Sequence, residues 1–230
     1  RRYGRIFREL AGFTGADVRH ILYIGAAINN DLKYKAQFER GARISYQGAQ
    51  ISSLNLSPHT PLTDRHARPE KIETRFAEAD IVYFDGGSIH ALLTTLTRFG
   101  LIEQCRAVFD RGGAVGGLCG GGTVLASLLV HAGQADIRCE AGAGLMPGLI
   151  MTSKINIEGE RAERLRQMRV ALRDNPGHSA IALGRDQAVI WRNRYEGARA
   201  LMHSKRSPKE KRPFQLSADG TQTPLPLLVP

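Results

Sequence analysis

Residues 114–130 read Ala-Val-Gly-Gly-Leu-Cys-Gly-Gly-Gly-Thr-Val-Leu-Ala-Ser-Leu-Leu-Val. Ala114-Val115-Gly116 is predicted to be a short strand, Cys119 follows at once, and Thr123 to Val130 is predicted to be a helix. A residue held between a strand end and a helix start and flanked by glycines has the pattern of a nucleophile elbow. Such a turn is tight and strained and admits only small neighbours, here Gly117 before the cysteine and Gly120 to Gly122 after it. A helix starting there would aim N–H groups and a partial positive charge at the thiol and favour its thiolate form. Taken alone, the same stretch also suits a phosphate-cradling loop or a plain tight turn.

Upstream, Ile21 to Ile24 is an apolar run ending at Gly25, which reads as a buried strand with a loop behind it. Asp31 to Arg40 has helical spacing, Ala49 to Leu56 alternates as a strand does, and Pro58 to Pro69 reads as a loop leading to a short helix through Phe76. Ile81-Val82-Tyr83-Phe84 is a second buried strand that stops at Asp85-Gly86-Gly87. Ser88 suits the N-cap of a helix carrying Leu92, Leu93, Leu96 and Phe99 on one face. Gly100 ends it, and Ile102 to Asp110 supplies another helix. Downstream, Glu160 to Arg173 is helical, with Leu165, Met168 and Leu172 turned inward, and strands are expected at Ser179–Leu183 and Ala188–Trp191. Strands alternating with helices argue for an α/β fold whose sheet is mainly parallel and covered on both faces. No internal repeat or linker stands out. One domain is therefore expected over residues 1–230, with a basic segment at 1–19 and a basic, Pro-rich tail at 204–230.

Composition narrows the function classes. The chain has 230 residues, of which 42% are hydrophobic, enough for a substantial core. No apolar run approaches the roughly 20 residues that span a bilayer, and Arg1-Arg2-Tyr3-Gly4-Arg5 is not followed by the apolar stretch of a secretory signal. Cys105, Cys119 and Cys139 are odd in number, form no C-x-x-C pair and have no His or Cys neighbours at zinc spacing. A disulfide scaffold and a metal centre are not expected, no cofactor is implied, and a reducing cytoplasm fits best. The net charge of +10 is spread along the chain, denser only at the N-terminus and at Lys205-Arg206 through Lys211-Arg212. With no nucleic-acid motif beside it, this charge reads as a solvated surface compatible with an anionic ligand. The expected partner is a small-molecule or peptide substrate rather than nucleic acid or membrane; a homodimer is left open.

Three segments in order, His20 to Ala27 (HILYIGAA), Ala79 to Leu93 (ADIVYFDGGSIHALL) and Ala114 to Leu125 (AVGGLCGGGTVL), resemble the dipeptidase E and cyanophycinase family of serine peptidases. Gly86-Gly87-Ser88 stands where that family has G-G-N, and Gly117-Leu118-Cys119-Gly120-Gly121 where it has G-x-S-A-G. The segment Gly144 to Gly148 (GLMPG) and the Arg-rich helix after Gly159 extend the likeness, which runs from His20 to Trp191. The resemblance implies a flavodoxin-like three-layer α/β/α sandwich of the class I glutamine amidotransferase type. It also implies acyl-transfer chemistry on a small peptide or amide, with Cys119 as nucleophile and the N–H groups of Gly87 and Gly120 at the oxyanion. On this reading Ser88 or His90 would help position substrate.

Two departures stand out. The nucleophile is Cys rather than Ser; a thiol is already partly ionised near neutral pH and depends less on a strong base. The family's catalytic His, which follows the L-x-P-G segment, is absent: Thr152-Ser153 stands where the family often has Pro-His, with Lys154 next. Ser153, Lys154 and His90 are the candidate substitutes, and the family's acid falls at Asp136 or Glu140. The leading expectation is a cysteine-nucleophile hydrolase or acyl transferase. Its alternatives are a relative that binds a peptide or metabolite without turnover, and a thiol-based protein reactive toward oxidants or electrophiles.

Overall fold

The structure, a computed structural model, describes residues 18–130, 137–152, 161–184, 187–191, 198–202 and 213–226. These fall into two compact units that meet in sequence at Leu125 and Ala126.

The first unit is organised by three short apolar strands. β1 (His20–Ile24), β3 (Ile81–Phe84) and β4 (Ala114–Gly117) join β2 (Gln50–Ser53) in a parallel sheet of order β2-β1-β3-β4. Every residue of β1 and β3 is buried, as expected for central strands covered on both faces. Helix α1 (Leu32–Ser45) connects β1 to β2, α2 (Pro69–Glu78) connects β2 to β3, and α3 (Ile89–Arg98) and α4 (Leu101–Asp110) connect β3 to β4. Because side chains alternate along a strand, Ile21, Tyr23, Ile81 and Tyr83 share one face, where they pack against Phe38, Ala42 and Tyr46 of the α1 region. Leu22, Ile24, Val82 and Phe84 are fully buried on the other face, and α2 and α4 also contact the sheet. This is the parallel sheet flanked by helices that the sequence predicts. Helix α3 is also as expected: Leu92 and Leu96 are buried, and the Ser88 hydroxyl accepts the Ala91 N–H at 3.1 Å as the N-cap.

One expectation is corrected. Thr123–Val130 is not a helix: Gly120–Thr123 forms a single turn, α5, and Ala126–Val130 is strand β5. Three consecutive glycines each cost about 1 kcal/mol in a helix relative to Ala, so the turn does not propagate. The apolar residues beyond it pair instead with β7 (Met146–Thr152) and β6 (Cys139–Ala141). A short apolar run does not distinguish strand from helix by its own periodicity, and here the pairing decides.

The second unit contains a six-stranded sheet of order β12-β11-β8-β7-β5-β6, in which β5, β7 and β8 (Ser179–Ala182) run parallel. The segment 204–230 supplies β11 (Phe214–Leu216) and β12 (Gln222–Pro224), an antiparallel pair on the β8 edge. Helix α6 (Arg161–Asp174) buries Leu165, Met168, Ala171 and Leu172 against Ile150, Ala180, Ala182, Phe214 and Leu216. Two further strands, β9 (Gln187–Trp191) and β10 (Ala198–Met202), form a separate antiparallel ribbon. No helix among the described residues is long and apolar enough to cross a membrane.

At the start of β1, buried His20 is hydrogen-bonded through Nε2 to Ser52 Oγ at 2.7 Å, with Glu78 3.6 Å from Nδ1. Burial outweighs the attraction of Glu78 and holds the imidazole below its usual pKa of 6.5. The folded state therefore favours neutral His20. Its contribution is complete above pH 6.5 and is lost as pH falls below that value toward the depressed one, with a slope of at most about 1.4 kcal/mol per pH unit. The urea midpoint should drop more steeply between pH 7.5 and 5 for the native chain than for His20→Gln. Equal slopes would show that His20 does not titrate with folding.

Candidate active site

The site forms where the loops after β3 and β4 meet at the C-terminal edge of the first sheet, the edge at which open α/β folds bind ligands. The ladder between the two strands continues one step past β4, with the Leu118 N–H donating to the Phe84 carbonyl at 3.0 Å. The chain then reverses. Cys119 takes φ 50° and ψ −117° at the cap of α5, a conformation that costs a non-glycine residue about 1–3 kcal/mol. Its carbonyl accepts the N–H groups of Gly122 and Thr123 and the Thr123 hydroxyl, which holds the turn closed. The Cys119 side chain is exposed, and Leu118 beside it is 39% exposed.

Backbone crowds backbone around this turn. A Cβ on Gly121 would lie 2.5 Å from the carbonyl oxygens of both Phe84 and Asp85, and one on Gly120 would lie 2.5 Å from the Gly87 carbonyl oxygen. These separations are shorter than any side chain permits, so the two loops touch only because nothing projects between them. A Cβ on Gly86 would sit 3.1 Å from Cys119 Cβ, which places the Gly-Gly loop directly against the cysteine. Gly87 itself has φ 143°, open in practice only to glycine. Among the described residues, neither the Gly87 N–H nor the Gly120 N–H donates to a backbone carbonyl.

Of the residues singled out from sequence, Gly86, Gly87, Gly120 and Cys119 are thus brought together. Ser88 adjoins them, with its hydroxyl engaged as the α3 cap, and His90 is exposed in the first turn of α3. Ser153, Lys154 and Asp136 lie outside the described residues. Glu140 is in β6, in the second unit. Cys105 is wholly buried in α4, where desolvation pushes its thiol well above the ordinary range; burial also raises Cys139 in β6. Wholly buried, the Cys105 thiol is out of reach of a substrate. The one-turn length of α5 limits the helix-dipole contribution expected at Cys119, since a macrodipole needs aligned peptides in succession. Asp85 and Tyr23 went unrecognised in the sequence. The buried Asp85 carboxylate accepts the Tyr23 hydroxyl and the Gly86 N–H, each at 2.7 Å. The available signal was an acid placed directly after a strand with no polar residue.

Residues 2–195 match the model of peptidase family S51. A peptidase from an acI-B1 Actinobacterium superposes with a TM-score of 0.67 at 17% identity, over 96% of this chain and 88% of that one. A peptidase E protein from Listeria monocytogenes EGD-e superposes with a TM-score of 0.59 at 13% identity, over 86% of this chain and 93% of that one. No curated protein matches by sequence.

The crowding can be tested by adding one methyl group at a time. Gly121→Ala and Gly120→Ala should each destabilise the chain by about 1–3 kcal/mol, as overpacking does. Gly116→Ala is the control, because a Cβ there meets nothing within 4 Å. Urea denaturation of the three variants decides it. Equal stability for Gly121→Ala and Gly116→Ala would contradict the close approach of the two loops.

Proposed function

The chain belongs to peptidase family S51, and we propose that it works as a peptidase-like hydrolase or acyl transferase through a covalent thioester on Cys119. The observation that carries this reading is the conformation of Cys119, φ 50° and ψ −117°, with an exposed thiol against the Gly86-Gly87 loop. Strain of this kind persists where the surroundings over-determine it, and it is concentrated at reacting residues.

In the proposed reaction the Cys119 sulfur attacks the carbonyl carbon of a small peptide or amide. The carbonyl electrons move to oxygen, and the N–H groups of Gly87 and Gly120 stabilise the oxyanion. Donors of this type are worth roughly 3–4 kcal/mol each. Collapse breaks the C–N bond, the amine leaves with a proton, and a thioester remains. Water then adds to the thioester carbonyl, a base takes its proton, and the acid product departs as the thiol is restored; an amine in place of water gives transfer. By sequence position the family's His falls at Ser153-Lys154. Lys154 is the proposed proton carrier, since Ser153 is a poor base and relays only through water. His90 is the next candidate. Ser88 and His90 border the loop and would contact the substrate. A second reading, a binder without turnover, is favoured by Thr152-Ser153 standing where the family has Pro-His.

Cys119→Ala should abolish hydrolysis of peptide and amide substrates while leaving ligand affinity largely intact. Lys154→Met should lower kcat by about 10²–10⁴-fold, the usual loss for a missing general base. Steady-state kinetics on a dipeptide panel checks both. Unchanged turnover in Cys119→Ala rules out covalent catalysis, and a dead Cys119→Ala beside a fully active Lys154→Met moves the base role to His90.

A further inference from the structure

We infer that Asp85 is a positioning residue, whose carboxylate holds the Gly86-Gly87 loop so that the Gly87 N–H is the donor left for substrate. This inference rests on the reaction proposed for Cys119. It starts from an anomaly: β3 is four apolar residues, all buried, and the next residue is a carboxylic acid only 2% exposed. Burying a carboxylate is costly unless it is hydrogen-bonded, so its partners indicate what it does.

One carboxylate oxygen, Oδ2, accepts the Tyr23 hydroxyl at 2.7 Å. Tyr23 belongs to the aromatic cluster of the sheet, with its ring centroid 4.8 Å from Phe38 and 6.4 Å from Tyr83. The acid is therefore tied to the rigid centre of the first unit. The other oxygen, Oδ1, accepts the Gly86 N–H at 2.7 Å. The Asp85 N–H itself donates to the Ile24 carbonyl at 3.2 Å, and at the far end of the loop the Ser88 N–H donates to the Ala27 carbonyl at 2.9 Å. Of the four successive N–H groups from Asp85 to Ser88, three have acceptors; among the described residues, the Gly87 N–H has none. The Asp85 carboxylate thus takes up the neighbouring donor and fixes its peptide plane, leaving a single N–H to face the reacting group. A donor held this way needs no reorganisation when the oxyanion forms, which is the condition for electrostatic stabilisation of a transition state. Asp85 acts through the loop and does not touch the substrate.

The test uses Asp85→Ala, Asp85→Asn and Tyr23→Phe in the full chain, with two readouts. Amide hydrogen exchange at Gly86 and Ser88, the bonded N–H groups of the loop, reports loop order in the resting protein and needs no activity. Steady-state kinetics on a dipeptide substrate separates kcat from KM. In Asp85→Ala, loop exchange should rise by about tenfold or more while β1 stays protected. Its kcat should fall by about 10–10³-fold, with KM within about threefold, as for loss of an interaction made only in the transition state. Asp85→Asn keeps an acceptor for the Gly86 N–H and should restore most of both; Tyr23→Phe should be intermediate. Should Asp85→Ala fail to fold, faster loop exchange and a lowered kcat in Tyr23→Phe support the proposal, and wild-type values there overturn it. Unchanged loop exchange in Asp85→Ala overturns it, as does faster exchange with unaltered kcat. Turnover surviving in Cys119→Ala would refute the covalent reaction instead, and the exchange data would still decide whether Asp85 holds the loop.

Discussion

Everything at the candidate site depends on a contact between two stretches of bare backbone. Gly121 rests on the carbonyls of Phe84 and Asp85, and Gly120 on that of Gly87, at distances that exclude a Cβ. The parallel pairing of β3 with β4 delivers the two loops to the same sheet edge. The glycines then let them close to contact distance. The pairing alone would leave the loops apart by at least the width of a side chain. The glycines alone would have no scaffold to hold them, because a triple glycine is among the most disordered of peptides when unsupported.

The same contact accounts for the strain at Cys119. A non-glycine residue at positive φ costs about 1–3 kcal/mol, and the turn meets that cost through local bonds from Gly122 and Thr123 to the Cys119 carbonyl and through the buried strands beneath. The result is a thiol displayed outward on a turn that has little freedom to relax, while Cys105 and Cys139 are withdrawn into packing. Within a single chain, backbone geometry and burial set Cys119 apart from the other two cysteines, with no difference in the residue itself. Family membership makes the chain a peptidase-like hydrolase.

Much of the first unit could be read directly. Ile81–Phe84 and Ala114–Gly117 are short apolar runs closed by glycines, and local rules suffice for such strands. The elbow was legible for the same reason, since its glycines are adjacent in sequence to the residue they expose. The second unit resisted because its strands owe their existence to distant partners. β5 carries the apolar run of a helix, and β7 contains Pro147 and Gly148, which local rules take as strand breakers. β11 lies just beyond a basic, Pro-rich stretch, yet Phe214 and Leu216 are buried against α6. Asp85 was hidden differently. Asp-Gly-Gly is a standard turn signal, and only the Tyr23 hydroxyl, sixty-two residues away in sequence, turns that acid from a loop residue into a buried anchor.

If Cys119 is the nucleophile, it becomes acylated during turnover. The most direct measurement is rapid quenching of the reaction with an activated acyl amide, followed by peptide mapping by mass spectrometry. An acyl adduct should form on Cys119 within a turnover, decay as product appears, and be absent from Cys105 and Cys139. Steady turnover with no adduct on Cys119 at any quench time, or an adduct that forms equally fast on Cys139, would contradict it.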